Sequence, residues 1–290
     1  MPAQPLLSVG LPVYNGARWV AAALDSFLGQ GMRDFEVIVA DNASTDDTEA
    51  ICRAYAARDA RVRYFRNPSN IGVYGNFNRV LELAHGRYFK WAACSDLVLE
   101  GFFEHCVGAL ESRRDAVLAY PRAYLVIVDA DGTEVAHEYD DGLNIEDARP
   151  AARFRAYLER ERINNVMHGV ARRDALLDTA LHRPYPGSDI SMVAELCLRG
   201  KILEIPERLF VRRFTPETSS LLMTSSSAAQ WALPASPSLA ARVNLHAYRF
   251  VTVARAPIPF TEKVRAWAYL LRRVVRLRHQ VMGRLAGALR

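Results

Sequence analysis

A regular alternation of strand-like and helix-like segments in the first 115 residues constrains the fold most strongly. The strand-like segments, which suit burial within a sheet, are Leu6–Pro12, Phe35–Asp41, Val62–Arg66 and Tyr88–Ala93. The helix-like segments are Arg18–Gln30, a segment starting at Ser44–Asp47, Tyr74–His85 and about Gly101–Ser112. Strands that alternate with helices at this interval form a parallel sheet with right-handed crossovers. The sequence therefore predicts an α/β fold with a mostly parallel, Rossmann-like sheet flanked by helices.

The pattern changes after about residue 115. Val117–Val128 and Thr133–Tyr139 flank Asp129–Gly132, which predicts a hairpin. The elements expected further along are a helix over Ala151–Glu161, a strand over Asn165–Ala171, a helix over Asp189–Arg199 and an extended segment over Lys201–Phe214. A segment rich in Ser, Thr, Ala and Pro follows, and its residues 221–237 are predicted to form a linker or mobile loop before a helical tail at 238–290.

The tail carries an excess of positive charge. Lys263–Arg290 contains eight Lys and Arg residues and no acid, which leaves −3 for the rest of the chain, given a net charge of +5. This distribution argues against a protein that coats nucleic acid. Apolar residues recur in the tail at spacings of three, four or seven: Val264, Trp267, Leu271, Val274, Val281, Leu285 and Leu289. Such a helix can dock on the rest of the protein, lie on an anionic membrane, or pair two chains in a homodimer.

The apolar segments are too short to cross a bilayer. The longest runs have about six residues, as in Ala266–Leu271, against the roughly 18 that a spanning helix needs. Met1–Pro5 lacks the features of a signal peptide. The four scattered cysteines, Cys52, Cys94, Cys106 and Cys197, are expected to be reduced and mostly buried. We therefore expect a cytoplasmic protein, soluble or peripheral at the inner face of the membrane.

Polar residues follow each of the first four strands, in Pro12–Gly16, Asp41–Asp46, Asn67–Gly72 and Cys94–Asp96. Open parallel sheets bind their ligands beyond the carboxyl ends of the strands. No G-x-G-x-x-G motif follows the first strand and no P-loop motif is present, so neither a dinucleotide fold nor a P-loop is indicated. The strand ends therefore predict a polar pocket without a glycine-rich phosphate loop.

These strand ends resemble those of family 2 glycosyltransferases of the GT-A fold. The matching segments are Leu-Pro-Val-Tyr-Asn at 11–15, Asp-Asn-Ala-Ser-Thr-Asp at 41–46, Asn-x-Gly-Val at 70–73 and the strand into Ser95-Asp96. Segments 169–176, 187–189 and 206–213 follow in the family's order. The resemblance implies a catalytic domain over 1–220, with a nucleotide-sugar half at about 1–115, an acceptor half at about 116–220, and inverting transfer of a sugar.

The resemblance also implies roles for individual residues. Asp96 matches the last acid of the family's Asp-x-Asp motif, which holds a divalent cation, Mg²⁺ or Mn²⁺, on the donor diphosphate. Asp189 matches the catalytic base, and Arg212 or Arg213 would lie near the diphosphate. The residues implied in binding the donor nucleotide, a UDP- or dTDP-sugar, are Pro12, Tyr14, Asn15, Asp41, Asn42, Asn70, Gly72, Asn76, Ser95, Arg212 and Arg213.

The implied chemistry is coherent. The leaving diphosphate develops negative charge that a hard cation with oxygen ligands neutralises. The acceptor is a hydroxyl of a glycan, a lipid-linked saccharide or a secondary metabolite, and one carboxylate must remove its proton during attack. Direct displacement with a single base inverts the anomeric centre.

Two departures from the family pattern leave an alternative function open. Ser95 stands where the family has an acid, and Phe214 follows Arg213 where many relatives carry a histidine. Both remove candidate metal or phosphate ligands, so a weakened glycosyltransferase-like binding or scaffold protein is the second hypothesis. A nucleotidyltransferase is disfavoured, because no Gly-rich triphosphate loop follows the first strand.

Each acid also has a structural interpretation. Asp41 and Asp189 could cap the helices that follow them, and Asp96 could be a helix-entry acid. Tyr14 could be a packed ring. Two histidines without metal-ligand spacing, His137 and His168, are expected to be structural or at the surface. The acids around the predicted hairpin, Asp129, Asp131, Asp140 and Asp141, lack the closing glutamate of a calcium loop.

Overall fold

The computed structural model describes residues 4–129, 131–143, 145–215 and 239–288, and the side chains of 239–246 and 276–288 are not among the described ones. The predicted α/β fold is confirmed: one sheet runs through the molecule with helices on both faces. The predicted linker at 221–237 lies outside the described residues.

The strands of the sheet are β1 (Leu7–Val13), β2 (Phe35–Asp41), β3 (Val62–Arg66), β4 (Tyr88–Trp91), β5 (Leu97–Val98), β6 (Ala116–Val128), β7 (Glu134–Tyr139), β8 (Val170–Arg172) and β9 (Lys201–Phe214). The helices are α1 (Val20–Leu28), α2 (Thr48–Arg58), α3 (Gly72–Glu82), α4 (Phe102–Ser112), α5 (Pro150–Arg160), α6 (Arg173–Leu177), α7 (Ser188–Arg199), α8 (Leu239–Arg255) and α9 (Phe260–Ala288).

The sheet is parallel in its first half and mixed in its second. The strand order is β3-β2-β1-β4-β8-β6-β9-β5, and β7 pairs with β6 outside this path. Strands β1 to β4 are parallel to their neighbours within this group, as are β6 and β9. The short β8 lies antiparallel between β4 and β6 and so joins the two halves. The expectation of a mostly parallel sheet therefore holds for β1 to β4, while β5, β7 and β8 are antiparallel additions.

Two hydrophobic cores lie on the two faces of the sheet. Alternate residues of β2 point into different cores. Val37 and Val39 pack in the core that contains residues of α1, α2 and α4, whereas Ile38 and Ala40 pack in the core that contains residues of α3, α5 and α7. Every residue of β1 and β2 is buried, as expected for strands covered on both sides. This burial fixes the carboxyl ends of β1 and β2 as a rigid platform for the loops that follow.

The predicted strand over Asn165–Ala171 is wrong in its first part. Asn165–His168 forms a 3-10 turn, and only Val170–Arg172 is a strand. The cause is Asn164, whose φ of 54° breaks the extended path just before the turn. The predicted hairpin is confirmed, since β6 and β7 pair antiparallel around the turn at Asp129 and Thr133.

The start of the tail helix α9 docks on the body. Ala266, Tyr269 and Leu270 are buried in the core that contains α5, and the Tyr269 ring meets the Phe154 ring edge-on at 6.4 Å. Within the described part of the chain, α9 is the longest helix, but neither it nor any other described helix is long and apolar enough to cross a membrane.

Two glycines should respond in opposite ways to substitution by alanine. A Cβ on Gly10, in the middle of β1, would lie 2.6 Å from the Phe89 ring and 2.8 Å from Val80. Overpacking there should lower the free energy of unfolding by about 1–3 kcal/mol. Gly108 lies in α4 with nothing within 4 Å of its added Cβ, so Gly108→Ala should raise the free energy of unfolding by about 0.5–1 kcal/mol. Urea denaturation of both variants measures this, and a Gly10→Ala protein as stable as Gly108→Ala would contradict the packing.

Candidate functional site

A small open cleft lies at the carboxyl ends of β1 and β2. Its lining residues are Pro12, Val13, Tyr14, Asn42, Asn70, Val73, Asn76 and Phe77. Five of these, Pro12, Tyr14, Asn42, Asn70 and Asn76, are among the residues expected from the sequence to bind the donor nucleotide. The structure thus brings together residues from three separate segments, at the end of β1, after β2 and at the start of α3, into one concave surface of rings and amides.

Side-chain amides hold the walls of this cleft. The Asn67 Nδ2 donates to Asn42 Oδ1 at 3.1 Å and to Asn76 Oδ1 at 3.0 Å, and all three residues are buried. Asn42 Nδ2 donates in turn to Asn70 Oδ1 at 2.8 Å, and Asn76 Nδ2 donates to the Ala40 carbonyl at 2.8 Å. The backbone N–H of Ile71 donates to Asn42 Oδ1 at 2.9 Å. These bonds tie the loop before α3 to the end of β2 and fix the shape of the cleft.

Asp41 is fully buried, and its carboxylate accepts three hydrogen bonds. Its Oδ1 accepts from the Ser44 N–H at 2.8 Å, and its Oδ2 accepts from the Tyr64 hydroxyl at 2.6 Å and Arg66 Nη1 at 2.8 Å. Ser44 precedes α2 by several residues, so Asp41 closes a turn and does not cap the helix. Burial and this hydrogen bond raise the pKa of the Tyr64 phenol.

Asn15 joins the loop after β1 to the loop after β2. Its φ is 50°, its N–H donates to Ser44 Oγ at 2.9 Å, and its Oδ1 accepts from the Thr45 N–H at 2.8 Å. The next residue, Gly16, donates its N–H to Thr48 Oγ1 at 2.8 Å. Asn15 therefore has a structural role next to the cleft, and its contact with a nucleotide stays a prediction.

Asp96 lies buried at the end of the loop that follows β4. Its Oδ1 accepts from the Arg213 N–H at 3.0 Å, and the Ser95 hydroxyl lies 3.5 Å from the same atom. The cap of α4 is Gly101, so the helix-entry interpretation of Asp96 is wrong. Burial raises the pKa of Asp96 to about 6, although nearby Arg212, Lys90 and the two hydrogen bonds oppose that rise.

Lys90 is a buried cation that the sequence reasoning missed. Its Nζ donates to the carbonyls of His168 and Trp91 and lies 4.4 Å above the Phe102 ring. Burial lowers the pKa of this ammonium to about 8, and the charge of Asp96 works against that fall. The available signal was a lysine inside an otherwise aromatic strand, Tyr-Phe-Lys-Trp at 88–91.

The two arginines near the end of β9 point to different partners. Arg213 Nη1 donates to the Ser95 carbonyl at 3.2 Å, and its Nε donates to Glu134. Arg212 Nη1 donates to the Ile163 carbonyl and to Asn165 Oδ1. Arg213 therefore stabilises the Ser95–Asp96 loop directly, whereas Arg212 holds the turn that precedes β8.

Asp189 lies in the first turn of α7, on a helix that Gly187 caps, so the helix-cap interpretation is wrong. Its Oδ2 accepts from Asn164 Nδ2 at 2.8 Å, and Asn164 Oδ1 accepts from the Tyr157 hydroxyl at 2.6 Å. Burial and the charge of Asp189 raise the pKa of Tyr74 to about 12. Since Tyr74 directly follows the cleft residue Val73, Asp189 lies beside the same end of α3.

A second acid near Asp189 was not singled out from the sequence. Glu161 is half-buried, and burial together with the negative charge of Asp189 raises its pKa. The buried His182 nearby is neutral near pH 7, because burial lowers its pKa to about 4. The carboxylate of Asp189 thus sits in a surrounding of tyrosine, asparagine and neutral histidine side chains.

Among the described residues, no cluster of three or more acid, histidine or cysteine side chains could hold a metal ion by itself. Asp96, with the Ser95 hydroxyl beside it, offers a single carboxylate. That set fits a cation that takes its other ligands from a bound diphosphate and water, as Mg²⁺ does at many phosphate sites. His137 is exposed on β7 and His168 stacks on Phe210 within the protein, so neither contributes to a cation site.

Comparison with known proteins finds a family match in the N-terminal region. The sequence model for "Glycosyl transferase family 2" matches residues 8–133. The uncharacterized protein MT1568 of Mycobacterium tuberculosis is 29% identical over 240 residues, which are 76% of this chain and 70% of that protein. Seven further curated relatives match over 106 to 136 residues and less than half of their own length.

Two solved structures share the fold. S. aureus TarS 1-349 in complex with UDP-GlcNAc superposes with a TM-score of 0.59 at 14% identity, over 91% of this chain and 71% of that one. The mannosyltransferase PcManGT from Pyrobaculum calidifontis, in complex with GDP-Man and Mn²⁺, superposes with a TM-score of 0.55 at 16% identity, over 95% and 87% of the two chains. At these identities, the likeness establishes the fold.

Removing the Asn67 amide should destabilise the protein, because this amide bonds to two residues that line the cleft. Asn67→Ala deletes both hydrogen bonds to Asn42 and Asn76 and leaves the buried Asn76 oxygen without a donor, so the free energy of unfolding should fall by about 1–3 kcal/mol. The exposed neighbour Ser69→Ala serves as the control and should change it by less than about 0.5 kcal/mol. Equal unfolding midpoints in urea for the two variants would show that the amide network does not support the loop.

Proposed function

We propose that this chain transfers a sugar from a nucleoside diphosphate sugar to a hydroxyl acceptor, because its residues 8–133 match the sequence model of glycosyltransferase family 2. The observation that carries this proposal is the cleft at the carboxyl ends of β1 and β2, which unites Pro12, Tyr14 and Asn42. Ligands of open α/β sheets bind at this place. The two candidate chemical groups, Asp96 and Asp189, belong to the loop after β4 and to the start of α7.

The cleft suits a pyrimidine nucleoside. Proline and tyrosine rings can pack on the faces of a base, and amides can donate to and accept from its edge. TarS 1-349, which has a similar fold, is described with UDP-GlcNAc, and PcManGT is described with GDP-Man. We propose UDP- or dTDP-sugars as donors, with Gly72 and Asn70 closing the nucleoside pocket and Asp41 supporting it from its buried position.

Asp96 is the residue that would hold a divalent cation. When bound, Mg²⁺ or Mn²⁺ neutralises the charge that develops on the leaving diphosphate. The Arg213 N–H and the Ser95 hydroxyl orient the Asp96 carboxylate, and the Arg213 side chain anchors the same loop through the Ser95 carbonyl. Arg213 also places positive charge next to this loop, where an arginine favours a diphosphate.

Asp189 is the proposed general base. The acceptor oxygen attacks the anomeric carbon while the bond from that carbon to the diphosphate oxygen breaks, and Asp189 takes the hydroxyl proton. Asn164 donates to one carboxylate oxygen of Asp189 and is itself held by Tyr157, so the base has a fixed orientation. One base and one direct displacement invert the anomeric centre. The acceptor class is a glycan, a lipid-linked saccharide or a secondary metabolite.

One observation favours the second candidate, a binding protein with weakened catalysis. Asp96 is buried with a raised pKa and shares its loop with Ser95 in place of a second acid. A binding protein would retain affinity for UDP and release no sugar from the donor, whereas the proposed enzyme slowly hydrolyses its donor sugar in the absence of acceptor. Donor hydrolysis therefore separates the two candidates.

UDP should bind in a manner that depends on metal and on Asp96. Calorimetric titration should show that Mn²⁺ tightens UDP binding, and Asp96→Ala should cancel that gain, weakening metal-dependent binding by at least about tenfold. Exposed Glu100→Ala is the matched control and should bind UDP as the wild type does. Since the pKa of Asp96 is about 6, protonation should weaken the Mn²⁺ effect as the pH falls from about 7 to about 5. An Asp96→Ala protein with an undiminished Mn²⁺ effect would remove Asp96 from the cation site.

Asp189→Asn should separate donor binding from turnover. The amide keeps the shape of the carboxylate but cannot accept the acceptor proton, so turnover should fall by about 10²–10⁴-fold while UDP affinity stays unchanged. Exposed Asp178→Asn provides a matched control. The measurement is transfer of a radiolabelled sugar to water and to small hydroxyl acceptors. A parallel loss of UDP affinity would assign Asp189 to the nucleotide site.

A further inference from the structure

The helix α9 exposes an apolar stripe that its docking on the body does not use. The stripe consists of Phe260, Val264, Leu271 and Val275, whose exposed fractions are 71%, 46%, 58% and 54%. Their spacings of four, seven and four residues place them along one side of the helix. Large exposed apolar residues in a row are unusual on a protein surface and mark an interaction site.

The stripe lies opposite the docked face of the same helix. Ala266, Tyr269 and Leu270 form the docked face and are buried against the body. At about 100° per residue, these positions lie on the far side of the helix from Val264 and Leu271. Docking therefore accounts for one apolar face of α9 and leaves the second without a structural explanation.

Positive charge flanks the stripe. Lys263 and Arg272 lie on its two sides, and among the described residues neither forms an ion pair with a carboxylate. On the docked side of the helix, a groove between α5 and α9 is lined by Arg155, Arg272, Arg273, Glu159 and Tyr269 and encloses about 360 Å³. Arg155 pairs with Glu159, and Arg273 donates to the Leu158 carbonyl and the Tyr269 hydroxyl. Lys263 and Arg272 therefore give the two flanks of the stripe positive charge that no described carboxylate pairs with.

We infer that the stripe and its basic flanks bind the surface of an anionic lipid bilayer. The helix would lie parallel to the surface, with Phe260, Val264 and Leu271 among the upper acyl chains and the Arg and Lys side chains at the lipid phosphates. The charge of the tail supports this partner, because Lys263–Arg290 has eight basic residues and no acid. A second copy of the chain is a poorer match, since it would bring an equally positive surface.

This inference is independent of the proposed sugar transfer, because it uses none of the residues around the cleft. The experiment is flotation of the full chain with vesicles of phosphatidylcholine alone or mixed with phosphatidylglycerol. The wild type should float with the anionic vesicles, and raised salt should release it. The combined variant Phe260→Ser, Val264→Ser and Leu271→Ser should bind roughly tenfold or more weakly. Arg272→Gln should weaken binding by about fivefold.

The matched control is Leu177→Ser, which removes an apolar side chain of 46% exposure from α6. It should float like the wild type, and unchanged melting temperatures should show that all variants fold. The inference is overturned if the wild type does not float, if it floats equally with neutral vesicles, or if the stripe variant floats like the control. It is also overturned if light scattering shows a wild-type dimer that the stripe variant dissolves while vesicle binding persists.

Discussion

The site depends on a buried carboxylate at the end of β2. Asp41 has no exposed surface, and a buried carboxylate without hydrogen-bond donors would destabilise the folded protein. Asp41 accepts hydrogen bonds from the Tyr64 hydroxyl and the Arg66 guanidinium, which belong to β3, and from the Ser44 N–H in the loop after β2. The end of β3 and the loop after β2 are thereby held in one arrangement. The adjacent Asn42 extends this arrangement to the loop that precedes α3.

The two acids that we propose for the reaction, Asp96 and Asp189, differ in how deeply they are buried. Burial raises the pKa of Asp96 although Arg212, Lys90 and the Arg213 N–H favour the carboxylate, so a cation that binds beside it would favour ionisation further. Asp189 is only partly buried and is oriented by one amide from Asn164. A residue that coordinates a cation benefits from a fixed, poorly solvated carboxylate, while a base must exchange a proton with a substrate that enters from solvent. The two surroundings match the two proposed roles.

The sequence predicted those features that a local pattern determines. The alternation of β1 to β4 with helices fixed the fold class, and the strand ends identified the loops that build the cleft, because parallel strands bring their carboxyl ends to one edge. Long-range partners could not be predicted in this way. Asn67 and Lys90 act through residues distant in sequence, and the positive φ of Asn164 has no local signature, since asparagine also occupies ordinary conformations. The tail pattern was compatible with docking or with a membrane, and the structure assigns its apolar residues to two opposite faces.

A crystal structure of the protein grown with UDP and Mn²⁺ tests the central claim most directly, because it locates the nucleotide without reference to sugar or acceptor. The account predicts the uracil ring between the Pro12–Tyr14 loop and the Asn70–Val73 segment, and the Mn²⁺ within bonding distance of an Asp96 oxygen and the diphosphate. Density for UDP in the basic groove beside Arg155 and Arg272, with the cleft at β1 and β2 empty, would contradict it.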